Sequence, residues 1–188
     1  MIEVSVVTSD EELVRRFRGG EQKAFDELYE RYAPRLKRLI VYSIGDADEA
    51  EDVLHDVFMR VFLHIDSFNT DMVFSSWIYR IAVNCCKNFR KKHVHDRLTV
   101  GGEQMDAVNS PEGSPEELYL KEEDMREFHL AVDALKEKFR TVFLLRFDHG
   151  MQYSQISSIL DCPERTAKWR MRKAVEKIVD RLKTRNVV

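Results

Sequence analysis

The sequence predicts an all-α protein, built as two small helical domains joined by a flexible linker. Three observations carry this expectation. Apolar residues recur at three- and four-residue spacing through most of the chain, and no stretch alternates apolar with polar as a strand does. The third is that the chain has only 7 glycines and 4 prolines in 188 residues, and Gly101, Gly102, Gly113, Pro111 and Pro115 fall together between Arg97 and Glu117. The expected layout is a first domain over 1–96, a linker over 97–117 and a second domain over 118–188.

The elements follow from the spacing. Phe25, Leu28, Tyr29, Tyr32, Leu36, Leu39 and Ile40 mark a helix, with a kink expected at Pro34 because proline removes one backbone donor. Ala50, Val53, Leu54, Val57, Phe58, Val61 and Phe62 mark a second helix, whose opposite face carries Glu49, Asp52, Asp56 and Arg60. Phe74, Trp77, Ile78, Ile81, Ala82, Cys85 and Phe89 mark a third. In the second domain, Leu118–Phe147, Tyr153–Leu160 and Pro163–Leu182 read as helices. A tight Asp161-Cys162-Pro163 turn joins the last two, with Pro163 expected at the first helical position. A short helix, a tight turn and a longer basic helix make a helix-turn-helix. In its second helix, Ala167, Met171, Ala174, Val175, Ile178 and Leu182 are expected to face inward. Arg165, Lys168, Trp169, Arg172 and Lys173 are left facing out.

The formal net charge of −3 conceals a sorted distribution. Six acids and no Lys or Arg lie from Asp46 to Asp56, and the stretch from Arg80 to Arg97 has net charge +5. Residues Glu103 to Glu127 carry −7 and Pro163 to Arg185 carry +6. Two basic patches therefore coexist with two acidic ones, and a near-neutral total does not exclude a nucleic-acid partner.

Catalysis finds no support. The chain has no Gly-rich phosphate loop, no His-Glu-x-x-His and no Gly-x-Ser-x-Gly. His93 and His95 lack a second ligand pair at metal-binding spacing, so no metal and no cofactor is expected. The 3 cysteines, Cys85 and Cys86 among them adjacent, do not form a disulfide framework. No apolar run reaches the ~18 residues that cross a bilayer, and the first residues do not read as a secretory signal. A cytoplasmic protein with no direct membrane insertion is expected.

Binding of nucleic acid fits better. On the last helix, outward Arg and Lys suit guanine edges and phosphates in a major groove, and an outward Trp169 is unusual for a helix that merely closes a bundle. On the third helix, Arg80, Asn84, Lys87 and Lys91 form a row opposite the apolar stripe, next to a loop over 65–73 that contains Phe68 and Asn69. Basic residues mixed with aromatics and an amide suit single-stranded bases. Phe74 and Trp77 are expected in the core. From the residues alone, a two-domain regulator that binds duplex operators and a helical adaptor without DNA function also remain open.

Three runs of residues narrow the choice. AEDVLHDVFMRVF followed by DSFNTDMVFSSWIYRIAVNCCKNFRKK, and after the linker YSQISSILDCPERTAKWRMRKA, resemble the extracytoplasmic-function (ECF) sigma factors of bacteria, most of all the sigma-E type. The match runs from about Ala24 to Leu182 with the motifs in family order. It implies a sigma-two and a sigma-four domain that bind RNA polymerase core, at the β′ clamp helices and the β flap, and direct it to promoters. Glu51, Asp52, His55, Asp56 and Arg60 would grip the clamp helices. Phe68, Asn69, Arg80, Asn84, Lys87 and Lys91 would hold the unwound minus-ten strand, with Asn84 and the loop around Phe68 capturing a flipped base. Arg165, Thr166, Lys168, Trp169, Arg172 and Lys173 would meet the minus-thirty-five duplex, with Arg165 and Arg170 assigned to phosphates or to support of the helix end.

The resemblance also implies an anti-sigma partner, membrane-anchored in many family members. The chain departs from the family pattern at Asn69-Thr70, at His55, at Arg165 and Ala167, and at Trp169. A further departure, Gln152 where serine commonly caps a helix, implies the loss of about 1 kcal/mol of capping. These departures imply a minus-thirty-five sequence unlike that of the sigma-E branch.

Overall fold

The computed structural model describes residues 8–97 and 125–185, with the side chains of 8–93 and 125–184. The expected linker, apart from the backbone of Arg97, and residues 118–124 of the second domain lie outside the described residues. Among the described residues every regular element is helical, and the chain divides into two compact units whose main segments meet between Val94 and His95.

The first unit begins with a helix that the apolar spacing did not announce, α1 (Asp10–Arg18). Ser9 caps it, its hydroxyl accepting from the Glu12 N–H at 3.2 Å, while Asp10, Glu11 and Glu12 complement the positive end of the helix. Leu13 and Val14 are buried, and Asp10 accepts from the Tyr32 hydroxyl and from Arg31. Next comes α2 (Gln22–Ile44), which is continuous through Pro34. It ends where Gly45 takes φ 75°, a left-handed conformation that suits glycine. One residue later Asp46 caps α3 (Ala47–His64) by accepting from the N–H groups of Asp48 and Glu49, both at 3.0 Å. A short 3-10 turn (Ile65–Ser67) leads into the loop before α4 (Phe74–Arg97). Leu28, Leu36, Leu39, Ile40, Val57, Phe74 and Ile78 are enclosed in the core of this unit.

The second unit starts, among the described residues, with α5 (125–133), followed by α6 (Glu137–Phe147), α7 (Tyr153–Leu160) and α8 (Glu164–Arg185). The single helix expected through Phe147 is therefore broken at 134–136. Leu135 is buried there, and the Arg140 guanidinium donates to the carbonyls of Asp133 and Leu135, which a broken helix leaves without intrahelical partners. Asp133 shares this half-buried corner, and desolvation raises its pKa against the pull of Arg140. Nothing in the good helix formers of that stretch signals the break.

Three further expectations are corrected in this unit. The Pro163 carbonyl accepts from Thr166 (2.8 Å) and Ala167 (3.1 Å), so proline stands at the cap of α8, not at its first helical position. The α7 start is not left bare by Gln152, because the Gln155 side chain accepts from the Gln152 N–H at 2.9 Å. Val175 is 41% exposed, and the inward face of α8 is carried by Ala167, Ala174 and Ile178.

Candidate functional site

Three surfaces collect the residues singled out above. The first is the outer face of α4 with the loop before it. Arg80, Asn84, Lys87 and Lys91 are all exposed, at successive spacings of four, three and four residues, while Ile78, Tyr79, Ala82, Val83, Cys85 and Cys86 are buried on the other side. The row is thus a physical stripe. The loop at its head is tightly turned. The Asn69 side chain accepts from the Asp71 N–H at 2.9 Å, and its carbonyl accepts from the Met72 N–H at 3.0 Å.

Phe68 does not belong to this exposed surface. It is 4% exposed, with its ring 5.6 Å from Phe74 and 4.9 Å from Trp77, centroid to centroid. Its side chain forms the floor of the loop and offers no face to a base. Trp77, expected in the core, is only half-buried and stands one step ahead of Arg80 on the stripe.

Two residues of this surface were not found by sequence reasoning. Arg18, at the end of α1, donates to the Ile65 carbonyl (3.0 Å from Nε) and to the Phe68 carbonyl. Glu11 accepts from the Phe74 N–H, the first donor of α4, at 3.1 Å. The Ser9-x-x-Glu12 pattern and Gly19-Gly20 could have revealed α1 itself. Its targets have no local signature.

The second surface is the outer face of α3. Glu51, Asp52, His55 and Arg60 are exposed and Asp56 is half-buried. Arg60 Nε donates to both Asp56 oxygens at 2.9 and 3.0 Å, and Lys37 pairs with Glu51, drawing its carboxyl below the ordinary range. From the core side, burial and a hydrogen bond to Asp56 push the Cys85 thiol up to about 12. Beyond the acids the same helix turns apolar. Met59, Phe62 and Leu63 are exposed, Leu63 to 66%, and Tyr29 of α2 is exposed too. Phe62 was expected inside. Phe17 and Phe25 stand at 5.7 and 5.6 Å from its ring, yet 46% of the side chain stays open.

The third surface is α8. Arg165, Lys168, Trp169 and Arg172 share one face at positions i, i+3, i+4 and i+7, and Arg165, Lys168 and Arg172 are exposed. Thr166 and Lys173 are half-buried at its edges. Trp169 is 42% exposed and its other edge rests against Phe139 of α6 at 5.9 Å. Lys168 sits 3.4 Å from Glu164 and Lys173 2.7 Å from Glu176, while Lys168 and Arg146 both approach the Tyr153 ring. The turn before α8 is held by Asp161 at φ 48° and by the Ser157 hydroxyl, which donates to the Cys162 carbonyl at 2.6 Å. Among the described residues no three His, Cys, Asp or Glu side chains could together hold a metal ion, and no helix is long and apolar enough to cross a membrane.

The family model described as Sigma-70 region 2 matches residues 28–95, which hold α3, the loop and most of α4. The model described as Sigma-70, region 4 matches 125–178, which hold the helix-turn-helix. The chain is 31% identical over 183 residues to the RNA polymerase sigma-H factor of Pseudomonas aeruginosa, covering 92% of this chain and 95% of that one. It is 32% identical over 177 residues to the ECF RNA polymerase sigma-E factor of Escherichia coli K12, covering 90% and 92%. The chain belongs to the ECF family of sigma factors. It is accordingly a transcription initiation factor, one that works with RNA polymerase core at promoters. Two solved structures share the fold at TM-score 0.71. They are CnrH in complex with the cytosolic domain of CnrY (19% identity, 94% of this chain and 99% of that one) and the sigma factor RpoE of Bartonella quintana in complex with the anti-sigma factor NepR (24% identity, 86% and 98%).

Proposed function

We propose that the three surfaces divide the work of this sigma factor. The outer face of α3, with Glu51, Asp52, His55, Asp56 and Arg60, docks on the clamp helices of the polymerase β′ subunit. Its acids suit a basic partner, and the adjoining Met59, Phe62 and Leu63 supply apolar area that charge alone does not. In the second unit, Phe147 is 65% exposed and stacked on Phe143 at 5.0 Å, a surface suited to an apolar element such as the β flap.

The α4 stripe and the loop hold the non-template strand of the minus-ten element. Arg80, Lys87 and Lys91 neutralise phosphates, and Asn84 reads the edge of a captured base. Unstacking a base costs a few kcal/mol, and contacts worth about 1–3 kcal/mol per base offset it. The α8 face with Arg165, Thr166, Lys168, Trp169, Arg172 and Lys173 enters the minus-thirty-five major groove. No bond is made or broken by the chain, and it acts as a binding factor, not an enzyme. It works in the cytoplasm under an anti-sigma factor, as RpoE of Bartonella quintana is paired with NepR. The domains carrying these roles are residues 1–96 and 118–188, tethered by 97–117.

The observation that carries this reading is the exposed Arg80-Asn84-Lys87-Lys91 stripe in one unit and the Arg165-Lys168-Trp169-Arg172 face in the other. Run-off transcription with core polymerase, followed by mapping of start sites, tests it. Initiation at defined sites that is lost with Asn84→Ala, with core binding intact, is the expected result. Tight binding to duplex without any gain from core would instead favour an ordinary operator-binding regulator.

A further inference from the structure

We propose that Arg18 and Glu11 are positioning residues for base capture, holding both ends of the loop over 65–74 against one face of α1. The inference rests on the reading of that loop and Asn84 as the minus-ten pocket. Glu11, Val14 and Arg18 lie at i, i+3 and i+7 of α1, so they share a face, and Val14 is enclosed beneath it. At one end of the loop the Arg18 guanidinium donates to the carbonyls of Ile65 and Phe68. At the other end the Glu11 carboxylate accepts from the Phe74 N–H, where a helix start attracts negative charge.

Between these clamps the loop's own hydrogen bonds are short-range, from Phe68 N–H to the Ile65 carbonyl (3.2 Å), from the Ser67 hydroxyl to the His64 carbonyl (2.7 Å) and those of the Asn69 turn. Those bonds shape the tip, the buried Phe68 ring seats the loop against Phe74 and Trp77 of α4, and the Arg18 and Glu11 clamps hold the backbone on either side of it. The α1 helix is itself anchored elsewhere, through buried Leu13 and Val14 and through Asp10 to Tyr32 and Arg31. Arg18 is therefore not needed to dock α1, and its three contacts serve the loop. A loop ordered in advance spares the strand the ordering cost at the moment of capture. Charge-assisted donors to carbonyls hold such a segment more firmly than neutral ones.

The test uses the full chain with core polymerase on a promoter fragment found by start-site mapping, with 2-aminopurine at the captured base. Arg18→Ala is expected to slow opening roughly tenfold, the scale set by losing charge-assisted bonds. Arg18→Lys, which keeps the charge but reaches one carbonyl, restores part of the rate. Core affinity and binding to a minus-thirty-five duplex stay at parental values, and backbone amide exchange quickens at Phe68 and Met72 on the full chain. Parental opening by Arg18→Ala alongside a defect in Asn84→Ala overturns the positioning role. So does a parallel loss of core affinity, which marks Arg18 as a general structural support. Parental opening by both variants overturns the base-capture reading itself, and the inference falls with it.

Discussion

Arg172→Ala tests the proposed role of α8 in duplex binding. Arg172 is exposed one turn beyond Lys168 and Trp169, on the face that Arg165 opens. Removing it should leave the helix intact, because Ala167, Ala174 and Ile178 supply the buried side and alanine is the strongest helix former. If the guanidinium reads a guanine edge, its loss costs about 1–3 kcal/mol, or roughly 5- to 150-fold in affinity, and relaxes preference at one base pair. If it meets a phosphate, affinity falls evenly across sequences and the slope of log K against log salt shrinks by about 0.9. The neighbouring lysines set the comparison. Lys168 and Lys173 hold Glu164 and Glu176, and exposed pairs of this kind contribute only about 0–1 kcal/mol, so DNA can draw both lysines away. The assay is fluorescence anisotropy of the reconstituted holoenzyme on duplex minus-thirty-five fragments, titrated between roughly 50 and 200 mM salt, the range where phosphate contacts register. An unchanged affinity together with a parallel salt slope would remove α8 from the DNA interface.

Other perturbations address other surfaces. Asp52→Arg, on the exposed acidic face of α3, should weaken core binding at least tenfold, about 1.4 kcal/mol, while leaving the melting temperature in place, as core titration and calorimetry together report. Tyr32→Phe removes the hydroxyl that donates to Asp10 and should lower stability by about 1.5–3 kcal/mol, read as the shift in a urea midpoint. Cys85 should give the first unit a stability component lost in alkali. Its thiol is pushed up to about 12 in the fold, chiefly by burial, and titrates near 8.5 when unfolded. A raised folded pKa means the contribution is complete below about pH 8.5 and drains as pH rises toward 12. Cys85→Ala should therefore flatten the decline in denaturation midpoint that the parent shows above that pH.

The sequence disclosed what local periodicity can disclose, and the reason is geometric. A helix turns every third or fourth residue to the same side, so the apolar stripe of α4 and its outward Arg80-Asn84-Lys87-Lys91 row are two views of one pattern. The row appears in the structure where spacing puts it, and Phe74, Ile78, Ala82 and Cys85 of the stripe are buried, while Trp77, Ile81 and Phe89 are half-buried. The same logic misplaced Phe62 and Val175. Spacing says which way a side chain points but not whether a neighbouring element covers it there, and both lie 41–46% open. Phe68 failed in the opposite direction. In a loop no period applies, and an aromatic flanked by polar residues reads as exposed until Phe74 and Trp77 close over it.

The break at 134–136 and the α1 contacts were hidden for a different reason. Each depends on a charged side chain reaching backbone groups, the Arg140 and Arg18 guanidinium groups to carbonyls and the Glu11 carboxylate to an N–H, and backbone groups are alike at every residue, so no side-chain pattern marks the partner. Arg140 reaches 5 and 7 residues, a distance still local enough to infer from a structural break, whereas Arg18 reaches 47 and 50. Long-range bonds to backbone help to fix loops, whose residues are mostly exposed, and here they act beside the buried Ile65 and Phe68. A binding loop is therefore where sequence reasoning finds the residues that touch a ligand and misses those that hold them in place. In the minus-ten pocket proposed for this chain the former are Asn69 and Asn84, and the latter are Glu11 and Arg18.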